Sequence, residues 1–107
     1  MFEPKIRNAQ TEALMRAMLA LENKEDAYRF FEDLCTIPEI RSISQRLAVA
    51  DLLRKKETYQ KIAEETGAST ATISRVNRAL NYGADGYNGV LDRMEREGSA
   101  DSRTSGD

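Results

Sequence analysis

The chain has 107 residues, of which 40% are hydrophobic and 32% charged, and its formal net charge is −2. One cysteine and no histidine exclude an internal disulfide framework and argue against a Cys/His metal site or a bound cofactor. No stretch has the roughly 18 apolar residues of a membrane span, and the N-terminus lacks the apolar core of a secretory signal. We therefore expect one small cytoplasmic domain that binds no membrane.

The first half of the chain has the apolar spacing of three helices. Apolar residues recur every three or four positions, which predicts a helix at about 8–22, a second at about 25–34 and a third from Thr36. Thr36 and Glu39 have the T-x-x-E spacing of a capping box. The third helix has a broad apolar band, formed by Ile40, Ile43, Leu47, Val49, Ala50, Leu52 and Leu53. A band of this width favours packing on two sides, one of them against a second copy of the chain.

The second half continues the all-helical pattern. We expect short helices at about 59–66 and 70–81, a glycine-rich turn at 82–89, and a last helix at about 87–97. Residues 98–107 are small and polar, which is typical of a disordered tail. The sequence thus predicts an all-α, six-helix fold, with a single domain over 1–97.

Residues 59–80 match the requirements of a helix-turn-helix. Gly67 stands where the first helix must end in the left-handed conformation, which glycine adopts at little cost. Ala63 is small where the second helix crosses closely. The wedge between the helices should be apolar, and its four positions are Ile62, Ala68, Ile73 and Val76. In this motif the second helix enters the major groove of DNA with its N-terminal residues at the base edges.

Two further patterns favour an anionic partner. Residues 54–81 have a net charge of +3, whereas residues 1–53 and 82–107 have −2 and −3. The first turns of both motif helices, after the expected caps Thr58 and Ser69, contain no acid, which leaves the positive ends of their dipoles open to phosphate. The residues predicted to contact DNA are Gln60, Lys61, Thr70, Ala71, Thr72, Ser74, Arg75 and Arg78.

Two other functions are open to such a chain. A helical interaction module could use the same two helices to bind protein instead of DNA. A small helical enzyme is disfavoured, because the sequence has no histidine and no visible cluster of carboxylates or nucleophile with its base.

The segments "LLRKKETYQKIAEE" (52–65) and "TGASTATISR" (66–75) resemble the tryptophan repressor superfamily, and most closely its Trp-repressor-like branch of the YerC/YecD type. The resemblance covers about residues 10–95 and is strongest at Gly67, Ala68, Ala71, Thr72, Ile73 and Arg75. It implies a bacterial transcriptional regulator, a repressor, that binds double-stranded DNA as a homodimer with interlocked N-terminal helices.

The resemblance also implies where an effector would bind. In the repressor proper, two arginines flank tryptophan and a glycine makes room for the indole ring. Arg75 matches one arginine, Gln45 stands at the position of the other with Arg46 beside it, and Val76 replaces the glycine. These three polar residues are the candidate ligand pocket. Because the valine side chain would project toward the ring, we expect no response to tryptophan, and any other effector is open.

Overall fold

The computed structural model describes the backbone of residues 1–105 and the side chains of residues 1–98. Six helices follow one another, and no strand occurs within that backbone. Their bounds are Ala9–Leu19 (α1), Lys24–Leu34 (α2), Ile37–Arg54 (α3), Tyr59–Thr66 (α4), Thr70–Tyr82 (α5) and Gly86–Ser105 (α6). The all-α, six-helix prediction is therefore confirmed. The chain divides into two units, Met1–Ile40 and the part from Arg41 onward.

The N-terminal unit consists of capped helices with little interior. The Asn8 side chain accepts a hydrogen bond from the Thr11 backbone N–H at 2.8 Å, and Asn23 caps α2 in the same way. The predicted box at α3 is confirmed, since Thr36 N–H donates to the Glu39 carboxylate at 2.8 Å and Glu39 N–H donates to the Thr36 hydroxyl at 3.2 Å. Hydrogen bonding of the Glu39 carboxylate to the Thr36 backbone N–H, and then to the Thr36 side chain, holds the pKa of Glu39 below its usual value. Neither α1 nor α2 contains a buried residue.

α1 is shorter than predicted. It ends at Leu19, whereas the apolar spacing predicted a helix to residue 22. The reason is the connection to α2. There the Leu21 N–H donates to the Met18 carbonyl, three residues earlier, and the Glu22 N–H donates to the Asp26 carboxylate. These bonds redirect the chain before the apolar stripe is complete.

The C-terminal unit contains the hydrophobic core. Every buried residue among the described side chains lies there, and they come from α3, α4, α5, α6 and the α4–α5 turn. They are Val49, Ala50, Ile62, Ala68, Ile73, Val76 and Leu91. The broad band on α3 is divided accordingly, because Val49 and Ala50 enter this core while Ile43 remains 46% exposed.

α3 ends in a turn that the sequence does not signal. Glu57 N–H donates to the Leu52 carbonyl at 3.1 Å and Lys56 N–H to the Leu53 carbonyl at 3.0 Å, which is the Schellman pattern. The residue in the left-handed position of that motif is Lys56, with φ of 65°. Glycine is the usual residue there, since a Cβ makes the conformation unfavourable.

We therefore expect Lys56→Gly to stabilise the fold by ~0.5–1 kcal/mol, because it removes backbone strain while keeping both turn bonds. Chemical denaturation measures the change. Lys56→Ala is the matched control, since it removes the same side chain but keeps the Cβ, and it should give no such gain. Equal stability of the glycine and alanine variants would show that Lys56 is not strained.

α6 begins earlier and ends later than predicted. The turn is confined to residues 83–85, so the predicted turn at 82–89 is too long, while Gly89 is helical as the predicted last helix at 87–97 requires and Gly86 is helical as well. Packing of Leu91, 3% exposed, against the core outweighs the low helix propensity of these glycines. The helix continues to Ser105, across most of the segment predicted to be disordered. Residues 106 and 107 and the side chains after residue 98 lie outside the described part, where that prediction stays a prediction.

Candidate nucleic-acid interface

α4 and α5 are joined by the three-residue turn 67–69. Their bounds agree with the sequence prediction except that α5 ends one residue later. Both predicted caps are confirmed: the Thr58 hydroxyl accepts from Lys61 N–H and the Ser69 hydroxyl from Thr72 N–H, each at 3.1 Å. Gly67 has φ of 74° and its N–H donates to the Ala63 carbonyl at 2.9 Å. The turn therefore has the left-handed helix end that the motif requires.

The inner sides of the two helices meet in the core. Ile62 and Ile73 are fully buried, and Val76 and Ala68 are 2% and 5% exposed. Ala63 packs against this cluster and is half-buried. All six residues predicted as helix-turn-helix scaffold thus lie at the α4–α5 junction, and packing fixes the two helices against each other.

The outer side of α5 is open to solvent. Positions 71, 74, 75 and 78 follow the spacing of three and four that places side chains on one helix face. All four side chains are exposed, as is Thr70, while Thr72 is half-buried. Within the described side chains, neither Arg75 nor Arg78 makes a salt bridge. α5 contains no acidic residue, so this face is uniformly neutral or positive.

The helix N-termini differ between the two halves of the chain. α1, α2 and α3 each have an acid in the first turn, whereas α4 and α5 have none. An acid there normally stabilises a helix by complementing its dipole. Its absence leaves the first N–H groups of α4 and α5 able to receive a phosphate.

The two residues of α4 that are predicted to contact DNA already pair with nearby acidic side chains. Gln60 donates to Glu64 at 3.4 Å, and the Lys61 ammonium lies 3.4 Å from Glu57 and 3.9 Å from Glu65. Exposed pairs of this kind contribute little to stability. Lys61 can therefore turn to a phosphate at small cost.

The positive charge of residues 54–61 is largely compensated in the folded chain. The Arg54 guanidinium pairs with Asp92. The Lys55 ammonium donates to Asp51 at 3.0 Å, and this bond raises the pKa of Lys55. The cationic character of the motif consequently comes mainly from α5.

Two of the three candidate ligand residues, Gln45 and Arg46, are hydrogen-bonded to other groups of the chain in this structure. The Gln45 amide donates to the Thr66 carbonyl at 3.1 Å, and the Arg46 guanidinium donates to the Ser42 hydroxyl at 2.9 Å. Arg75 is exposed on α5. Val76, at the position of the family's glycine, is a core residue.

Two residues next to the motif were not found by sequence reasoning. Asn88 of α6 donates to the Leu80 carbonyl of α5 at 3.2 Å, and Arg54 donates to the Asn88 carbonyl at 3.1 Å. Such pairs, 8 and 34 residues apart, leave no periodic or local signal. They bind the C-terminal end of α5 to the rest of the unit.

Two other kinds of site can be assessed over the described part of the chain. No group of three His, Cys, Asp or Glu residues is placed to hold a metal ion there. None of the helices described is long and apolar enough to cross a membrane.

Comparison with known proteins agrees with this geometry. The chain is 56% identical over 91 residues to YerC of Bacillus subtilis (strain 168), named as an uncharacterised protein, covering 85% of this chain and 88% of that one. It is also similar to a solved structure from Staphylococcus aureus described as a candidate Trp repressor, with 54% identity, a TM-score of 0.81, and coverage of 85% and 91% of the two chains. A TrpR-like protein from Eubacterium eligens gives 57% identity and a TM-score of 0.81, covering 85% and 94%.

The family model described as "Trp repressor protein" matches residues 9–95, which include all of the motif and its supporting helices. The matched region contains every residue predicted to contact DNA and every residue of the scaffold. On this match, and on the identity with YerC, the chain belongs to the Trp repressor protein family.

Proposed function

We propose that this protein is a dimeric, sequence-specific DNA-binding regulator of transcription, a repressor, that does not respond to tryptophan and has no enzymatic activity. It acts in the cytoplasm, where bacterial DNA lies. The observation that best supports this function is the outer side of α5, where two exposed arginines follow an acid-free helix start.

The outer side of α5 suits the major groove. The N-terminal positions 70–72 bear only small or hydroxylated side chains, so the helix end can approach DNA closely. Thr72 and Ala71 can contact a thymine methyl group, and Arg78 can pair with a phosphate or with guanine. Few long polar side chains are available for direct reading of bases. Water-mediated contacts and DNA shape therefore supply part of the specificity.

The uncovered apolar surface of the N-terminal unit supports a dimer. α1 and α2 bury none of their residues. Apolar side chains left exposed in the single chain include Met15, Met18, Leu19, Tyr28 and Leu34. A second copy that covers them would form a C2 dimer, which places two recognition helices about 34 Å apart on one side of the DNA. The binding site is then a near-palindrome.

Arg78→Ala tests the function directly. If Arg78 contacts a phosphate, the variant loses ~10-fold in affinity for the duplex selected by the wild-type protein. The slope of log K against log salt concentration should become shallower by about 2, because a dimer loses two phosphate contacts of about 0.9 each. Fluorescence anisotropy at several salt concentrations gives both quantities.

Arg93→Ala is the matched control, since it removes an arginine of α6 that is also exposed. It should change neither the affinity nor the slope by a comparable amount. Identical behaviour of the two variants would contradict the assignment of Arg78. Binding that is insensitive to salt would favour the interaction module, which has no phosphate to neutralise.

A further inference from the structure

The recognition helix α5 is bound to its neighbours at both ends by side chains of the chain itself. Next to the N-terminal end of α5, the Gln45 amide of α3 donates to the Thr66 carbonyl at 3.1 Å. Thr66 is the last residue of α4, and carbonyls in the last turn of a helix have no partner within the helix. Gln45 thereby connects α3 to the turn from which α5 starts.

Further hydrogen bonds of Thr66 extend the connection at the N-terminal end of α5 into the α4–α5 turn. The Thr66 hydroxyl donates to the Ile62 carbonyl at 2.7 Å and accepts from Ala68 N–H at 3.1 Å. A Cβ added at Gly67 would lie 3.9 Å from the Gln45 amide nitrogen, so this side chain also packs on the turn. Gln45 and Thr66 are both half-buried, and burial shields their hydrogen bond from competition with water.

The connection at the C-terminal end of α5 involves three helices. Asn88 of α6 donates to the Leu80 carbonyl near the end of α5. Arg54 of α3 donates to the Asn88 carbonyl and pairs with Asp92. Between the two ends, Ile73 and Val76 fix the inner side of α5 in the core.

We propose that Gln45 at the N-terminal end and the Arg54–Asn88 pair at the C-terminal end hold α5 in its DNA-binding orientation in the free protein. The regulator then binds its operator without any small-molecule effector. This inference rests on the proposed function. When only a fraction of the protein is in the binding-competent state, its apparent affinity is the intrinsic affinity multiplied by that fraction. The two connections keep most of the protein in the competent state. An effector could then raise the affinity for DNA only slightly.

Two substitutions at Gln45 test the proposal. Gln45→Met keeps the length of the side chain without the donor, and Gln45→Glu keeps its shape but presents an ionised acceptor to the Thr66 carbonyl. We expect both to lower operator affinity ~10-fold through a slower association rate. The dissociation rate and the salt slope should be unchanged, because the contacts in the bound complex are the same. Arg41→Met is the control, since Arg41 is an exposed residue of the same helix that makes no side-chain hydrogen bond within the described part, and it should bind like the wild type.

Amide hydrogen exchange supplies a readout that needs no DNA. In Gln45→Met the Gly67 and Ala68 amides should exchange at least ~5-fold faster than in the wild type, while core amides such as Val49 keep their protection. Unchanged exchange at these two amides would overturn the proposal even if the protein binds DNA.

The remaining outcomes separate the proposal from the function on which it rests. A loss of affinity through faster dissociation, with a shallower salt slope, would make Gln45 a DNA contact and overturn the proposal. Operator binding by the wild type only after L-tryptophan is added would overturn it, together with the proposed indifference to tryptophan, while leaving DNA-binding regulation in place.

Discussion

Ala71→Glu is expected to abolish specific DNA binding and at the same time to make the folded chain slightly more stable. Ala71 is the second residue of α5, after the Ser69 cap, and its side chain is exposed. A carboxylate there complements the helix dipole and stabilises the fold by ~0.3–1 kcal/mol. In a complex it would face phosphate and the groove, and we expect the affinity to fall at least ~100-fold, which corresponds to about 2.8 kcal/mol.

The opposite signs of the two effects make this variant informative. Thermal denaturation and anisotropy titration on the same preparation measure both. Gly89→Glu is the control, because it adds the same charge near the start of α6, at a residue whose Cβ would meet nothing within 4 Å. It should retain DNA binding. Binding by Ala71→Glu within ~3-fold of the wild type would show that the N-terminus of α5 does not face the DNA.

Ile73→Ala is expected to remove a large part of the stability of the C-terminal unit. Ile73 is fully buried between the helices, and truncation of such a residue costs ~2–5 kcal/mol through lost burial and the cavity left behind. A domain of this size is stable by only ~5–15 kcal/mol. The melting temperature should therefore fall by more than ~10 °C.

Val90→Ala is the comparison for this prediction, because it also shortens an apolar side chain but at a position that is 53% exposed. It should lower the melting temperature by only a few degrees. Similar losses in the two variants would mean that the α4–α5 junction is not the centre of the core. Wild-type stability of Ile73→Ala would contradict the packing described for the motif.

The sequence allowed α4 and α5 to be predicted within one residue, because local chemistry determines their ends. Thr58 and Ser69 cap the helices with their own hydroxyls, and Gly67 can take a positive φ at low cost. The capping box at Thr36 is equally local. Such signals depend on residues three or four positions apart, which sequence reading detects.

The features that sequence reading missed depend on distant contacts or on a weak preference that packing overrides. Lys56 takes a left-handed conformation that its residue type does not suggest, and Gly86 begins α6 because the packing of Leu91 in the core outweighs the low helix propensity of glycine. The bond from Gln45 to Thr66 spans 21 residues, and that from Arg54 to Asn88 spans 34. The resemblance places Gln45 in a candidate ligand pocket, and its support of the turn through Thr66 is visible only in the structure.

The most direct test of the account is selection of DNA by the purified protein. Genomic fragments are incubated with the protein at moderate salt, with and without tryptophan, and the bound fraction is sequenced. We predict enrichment of a near-palindromic site whose half-sites lie about one helical turn apart, equally in both conditions. Absence of any enriched sequence in both conditions would contradict a sequence-specific, effector-independent regulator, and enrichment only with tryptophan would contradict the role assigned to Val76 and Gln45.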